Sequence, residues 1–123
     1  MAAGSALTDE VGEQLTAWGK VVRIETRGRV TGRELAVAVG FVEEADGALL
    51  VAAGDADADW ALNLEADPSC RVTVGERTWN ALAEPLDRTG TAAAVAALIL
   101  RYGTPAERLG RGPAFRLVPQ PGA

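Results

Sequence analysis

Short β-patterned runs, each closed by a turn signal within about ten residues, constrain this chain more than any other feature. Residues 21–26 alternate, with Val22, Ile24 and Thr26 on one face and Val21, Arg23 and Glu25 on the other, which is the period of a half-buried strand. Residues 35–43, rich in Val and Ala, read as a second strand. Ala45-Asp46-Gly47 marks a hairpin turn, and residues 48–53 follow as a third strand, apolar on both faces and so expected in a central position. Residues 71–74 and 77–83 form a further hairpin around Gly75-Glu76, and residues 115–118 close the chain as a last strand. Short strands with turns between them favour a barrel or sandwich over a parallel sheet. No Gly-x-Gly-x-x-Gly stands between a strand and a helix, so a Rossmann reading has no anchor.

Three segments carry a helical pattern instead. In residues 5–19 Ser5 or Thr8 supplies a cap, Asp9 and Glu10 fill the first turn and Gly19 follows the end. Its stripe of Val11, Leu15 and Trp18 is expected to pack on one side of the sheet. Residues 60–66 read as a short helix ended by Asp67-Pro68. Residues 91–102 are Ala-rich, with Val95, Leu98, Ile99 and Tyr102 inward, and residues 104–112 form a polar connection. The expected fold class is mainly β (α+β), in one domain over residues 1–123: an N-terminal helix to residue 18, a barrel from 20 to 119 and a tail from 120 to 123.

Several function classes drop out on composition. Histidine is absent, which removes a serine–histidine triad and any histidine-bearing metal site from a single chain, and no metal is expected. Cys70 is the sole cysteine, so no internal disulfide forms, and packing is its expected role. The net charge of −5 gives little support for gripping a nucleic-acid backbone. No apolar run is long enough to span a bilayer, and the acid-flanked stripe from Leu7 to Trp18 gives no stable membrane insertion. The first residues lack the pattern of a signal peptide, so cytoplasmic residence is the default expectation.

Two constellations carry candidate chemistry. Thr26-Arg27-Gly28-Arg29-Val30-Thr31-Gly32-Arg33 packs arginines, threonine hydroxyls and glycines into one loop of an acidic chain. Glycines let main-chain amides approach an anion, and guanidinium groups add paired donors suited to phosphate or carboxylate. The same residues equally describe a hairpin tip with solvated charges. In Asp59-Trp60-Ala61-Leu62-Asn63-Leu64-Glu65-Ala66-Asp67-Pro68, Trp60 and Asn63 share a helical face. They suit a planar ring with a polar edge. Spacing alone favours the plainer alternative, with Trp60 and Leu64 in the core and Asn63 bonding the main chain.

Taken in order, these two stretches with Asp46-Gly47 and Leu49-Leu50-Val51-Ala52-Ala53 between them resemble the deazaflavin (F420)-dependent nitroreductase and quinone reductase family. Val72-Thr73-Val74, the helix ending at Tyr102 and Phe115-Arg116-Leu117-Val118-Pro119 also fit that outline, so the resemblance runs over residues 19–119. It implies a split β-barrel like that of FMN-binding proteins. The resemblance places Arg29, Thr31, Gly32 and Arg33 against the charged tail of coenzyme F420. It sets Val37, Ala38 and Val39 beneath the ring, puts Gly54, Trp60 and Asn63 around the pocket, and Tyr102 on the acceptor side as a source of a proton or hydrogen bond. The implied reaction is hydride transfer to a small organic acceptor such as a quinone, an enone or a nitro compound, by a monomer or homodimer. Alternatives within the same fold are FMN as coenzyme, a flavin, deazaflavin or tetrapyrrole carrier without turnover, and an interaction domain with an empty pocket. The sequence departs from the family pattern at Leu35, where a second arginine is usual, and in Ala53-Gly54-Asp55-Ala56-Asp57-Ala58-Asp59, which lacks the usual serine. The three carboxylates of that stretch either face the anionic tail or point outward as a solvated loop.

Overall fold

The computed structural model describes residues 18–103, 109 and 111–121. In chain order the elements are β1 (Val22–Arg27), β2 (Glu34–Val39), β3 (Val42–Glu43), β4 (Leu49–Ala52), α1 (Asp59–Ala66), β5 (Ser69–Val74), β6 (Arg77–Pro85), α2 (Arg88–Tyr102) and β7 (Ala114–Pro119). The strands form one seven-stranded sheet in the order β2-β1-β5-β6-β7-β4-β3, with every pairing antiparallel. Its edge strands, β2 and β3, are consecutive in the chain, joined only through Gly40 and Phe41. A sheet tied in this way must curl until its edges meet, so it becomes a half-barrel closed by covalent chain rather than by a ladder. With the two helices packed on it, this is a split β-barrel.

The sequence pattern runs unbroken from residue 35 to 43, yet the structure parts it into β2 and β3. The cause lies in α2. Tyr102 Oη accepts the Phe41 N–H at 3.0 Å and lies 3.1 Å from the Phe41 carbonyl, which takes both main-chain groups of that residue out of any ladder. Gly40 permits the approach, because a Cβ there would sit 3.0 Å from the tyrosine ring. The chain therefore leaves one edge of the sheet and joins the other, while the Phe41 ring enters the core.

Register decides which side chains face inward. Val22↔Val39, Ile24↔Val37 and Thr26↔Leu35 share the inner face of β1 and β2, while Arg23↔Ala38 and Glu25↔Ala36 share the outer one. The interior fills with Val22, Ile24, Leu49, Val51, Val72 and Leu117, all fully removed from water, around Phe41 and Phe115. Each such aliphatic side chain contributes about 1.5–3 kcal/mol by burial. Trp60, Ala61 and Leu64 of α1 join the same cluster. A second cluster sits outside the sheet, where Ala94 and Leu98 of α2 cover Ala52 and Ala114. This explains why β4 is apolar on both faces: Leu49 and Val51 look into the barrel and Ala52 looks at the helix. Asp87 caps α2 by accepting the Gly90 N–H at 2.7 Å, so the helix starts three residues before the apolar pattern does.

On the outer face Arg116 ties β7 to β6 and to the turn between β3 and β4. Its guanidinium donates to Glu44 at 2.8 Å, to Asp46 in the β3–β4 turn and to Glu84 of β6 at 3.3 Å. The hydrogen bond to Glu44 leads the influences that hold its pKa above the ordinary guanidinium value. The expected N-terminal helix lies outside the described residues except for its last two. Of these, Trp18 is 66% exposed, against the expectation that it packs on the sheet, and it joins neither apolar cluster. The connection over residues 104–112 falls mostly outside the described residues as well.

Candidate functional site

The basic loop between β1 and β2 is a tight, ordered turn. Gly28 N–H donates to the Arg33 carbonyl at 2.7 Å and Gly32 N–H to the Gly28 carbonyl at 2.8 Å. Gly32 sits at φ +73°, a conformation that favours glycine, and Thr31 Oγ1 accepts the Arg33 N–H at 3.3 Å. The N–H groups of Val30 and Thr31 enter no hydrogen bond among the described residues, and Thr31, Gly32 and Arg33 are exposed. Arg27 and Arg33 enter no ion pair among the described residues. Such a turn offers an anion two free amides and a guanidinium.

The loop is moored to α1 through one buried amide. Asn63 is 1% exposed; its Oδ1 accepts from Arg29 Nη1 at 2.8 Å and from the Arg29 main-chain N–H at 3.2 Å. Its Nδ2 donates to Thr26 Oγ1 at 3.2 Å, so strand end, loop and helix share one hub. Arg29 Nη2 also pairs with Asp59 Oδ1 at 3.2 Å, at the first residue of α1. The acidic stretch thus contributes one carboxylate that neutralises an arginine, and Asp55 and Asp57 are exposed. Trp60 takes the packing alternative, 6% exposed, with its ring 6.0 Å from that of Phe115.

The other expected site residues are spread out. Along β2, Leu35 and Ala36 are exposed and Val37 is half-buried, whereas Ala38 and Val39 are buried. On the inner face Leu35 and Val37 are therefore accessible apolar residues beside the loop, with Ala36 on the outer face, along an edge with no further strand paired to it among the described residues. Tyr102 lies at the opposite end of β2 from the loop, roughly 20 Å away by strand rise. Its hydroxyl is engaged by main chain, donating to the Lys20 carbonyl at 2.7 Å or to that of Phe41. Gly54 lies on the turn after β4, where an added Cβ would come within 4.0 Å of Leu109. A residue the motifs did not single out holds that turn: a Cβ on Gly112 would fall 2.4 Å from the Asp55 carbonyl oxygen, so only glycine fits. Its partner lies far off in the chain, which leaves no local signal. A broad hollow opens from Gly32 and Arg27 across the outside of β1, β5 and β6, past Glu25, Arg71, Asn80 and Gln120.

Cys70 is closed to chemistry. It is 8% exposed and its thiol donates to the Ala81 carbonyl at 3.6 Å. Burial, with a smaller push from Asp67, raises the thiol to about 11. The neutral form is the one the fold favours. Its stabilisation is complete below about pH 9 and is lost as pH rises towards 11. Native protein at pH 8 is accordingly expected to react with a disulfide reagent at least 100-fold more slowly than urea-unfolded protein, as absorbance stopped-flow measures.

The loop and the apolar edge of β2 fit a coenzyme with an anionic tail and a flat apolar body. The amides of Val30 and Thr31, a glycine at positive φ and an arginine with no ion pair among the described residues suit such a tail, and Leu35 and Val37 suit such a body. Among the described residues no three metal-binding side chains converge, and no helix is long and apolar enough to cross a membrane.

Solved structures repeat the fold. An F420-H2 dependent reductase (FDR-A) superposes with a TM-score of 0.68 at 24% identity, over 80% of this chain and 93% of that one. A domain-swapped dimer matches at 0.67 and 22% identity, covering 88% and 94%. HutZ, a heme storage protein from Vibrio cholerae, matches at 0.64 and 22%, covering 95% and 92%. No curated protein matches the chain. The model of the F420H(2)-dependent quinone reductase family matches residues 3–104, most of the chain, and the protein belongs to that family.

Proposed function

We propose that the protein is an F420-dependent reductase that passes a hydride from the reduced coenzyme to a small organic acceptor such as a quinone, an enone or a nitro compound. Family membership supports the coenzyme. The observation that carries the reading is the exposed, rigid turn of Thr31, Gly32 and Arg33, moored by Asn63 at one end of an apolar edge strand. Bound there, the reduced deazaflavin supplies the hydride. Arg33 and the amides of Val30 and Thr31 hold the anionic tail, and Leu35 and Val37, together on the inner face, give the ring a dry wall. Arg29 and Asn63 keep the loop in place, and Trp60 packs α1 against Phe115. Val39 packs on the inner face of the strand and Ala38 on its outer face, Gly54 shapes the turn after β4, and Tyr102 fixes the far end of β2.

The donor set supports deazaflavin over haem. The chain has no histidine, and its one thiol is buried and held neutral, so the usual axial ligands are lacking.

Arg33→Ala is expected to weaken F420 binding about tenfold or more, the loss of a charge-assisted contact, with little change in melting temperature. Fluorescence titration at two salt concentrations checks this, with FMN titrated alongside. Equal affinity of variant and parent would remove the loop from the site, and tighter binding of FMN than of F420 would replace the coenzyme.

A further inference from the structure

Asp59 is the only carboxylate among the described residues that forms an ion pair with the basic loop. Arg29 is held at three points on α1. Nη1 donates to Asn63 Oδ1 at 2.8 Å and reaches the Asp59 carbonyl at 3.5 Å, while Nη2 meets the Asp59 carboxylate at 3.2 Å. The first anchor ends on the buried Asn63 amide and belongs to the fold. The carboxylate is different: its side chain is 82% exposed, against 34% for Arg29. The two ends of one guanidinium thus have separate employments, one structural and one electrostatic.

We propose that Asp59 is a built-in competitor for the anion this loop binds: it occupies Arg29 Nη2 and so sets how tightly the loop grips a charged ligand. Removing the carboxylate frees Nη2 while Nη1 stays on Asn63, which leaves a donor already in position. The anion meets Arg33 and two amides in the parent protein and a second guanidinium once Asp59 is neutral. Asp59 therefore acts on affinity through Arg29 and is a positioning residue. The inference rests on the proposed function only in taking the coenzyme tail as the natural anion. The competition itself concerns any compact polyanion.

Inorganic pyrophosphate is the probe, titrated by calorimetry against the parent chain, Asp59→Asn, Asp59→Glu and Asp57→Asn. Asp57 supplies the control, because it lies on the same stretch, is exposed and carries the same charge without an ion pair among the described residues. Asp59→Asn is expected to tighten binding about three- to fivefold, the scale of an exposed ion pair. Asp57→Asn should give less than half that gain, and Asp59→Glu, which keeps the pair, none. Combining Asp59→Asn with Arg29→Lys should abolish the gain, since lysine lacks the second donor arm. Equal gains from the two asparagine variants would reduce the effect to general charge and overturn the proposal. So would unchanged affinity in Asp59→Asn, or no pyrophosphate binding by any variant. The pyrophosphate pattern without F420 binding by any chain would sink the coenzyme and leave the competitor standing.

Discussion

Asn63→Leu is expected to lower the free energy of unfolding by about 2–4 kcal/mol, read as a fall in the urea midpoint. Leucine matches asparagine in shape, so the loss isolates the polar contacts. Those contacts number three: two accepted from Arg29 and one donated to Thr26, which is 2% exposed. Without them the buried Thr26 hydroxyl loses its partner, at a cost of about 1–3 kcal/mol before any relaxation, and the part-buried Arg29 donors must be met by water instead. The loop from Gly28 to Arg33 then loses its mooring, so anion affinity falls with stability. Asn63→Asp should cost less. A carboxylate still accepts from Arg29, now with opposite charge, and Thr26 can turn its hydroxyl to donate. A leucine variant with the parent's midpoint would show that the hub contributes nothing.

How much of this was legible in the sequence follows from the range of each determinant. The inner face of β1 could be read because alternation is local: Val22, Ile24 and Thr26 are the residues found buried. The shared helical face of Trp60 and Asn63 was legible for the same reason, and both point inward. What Asn63 binds was not, because Thr26 lies 37 residues upstream. The acidic stretch stayed ambiguous in the sequence, and only the fold sets Asp59 beside Arg29 and turns one feared repulsion into a pair. The break in the strand pattern at Gly40 and Phe41 was invisible because its cause, Tyr102, stands 61 residues beyond Phe41. Tyr102 stands out in the sequence for its place at a helix end, where the family resemblance implies chemistry, whereas its hydrogen bonds to Lys20 and Phe41 depend on contacts far off in the chain.

Tyr102→Phe separates those two tasks. The ring remains, and with it the packing on Gly40 and the Arg101 guanidinium lying 5.3 Å from its centre and 4.4 Å from that of Phe41. Only the hydroxyl goes. In the parent it accepts the Phe41 N–H and gives its one proton to the Lys20 or Phe41 carbonyl, so the substitution orphans a donor and relaxes two acceptors. About 1–3 kcal/mol of stability should be lost. The loss should be local first, since these bonds hold the point where the split sheet changes edges. Amide exchange at Phe41 is therefore expected to lose protection before the midpoint of global unfolding moves, and turnover per folded molecule should stay within about twofold of the parent. If the hydroxyl instead protonates the acceptor, the pattern reverses. The urea midpoint and the Phe41 amide would hold steady while kcat fell about 100-fold or more, the usual scale for losing a general acid. Measured together, exchange, denaturation and single-turnover rate leave no variant behaviour that fits both roles, because a clasp acts on the ground state of the fold and a proton donor acts only on the transition state of the reaction.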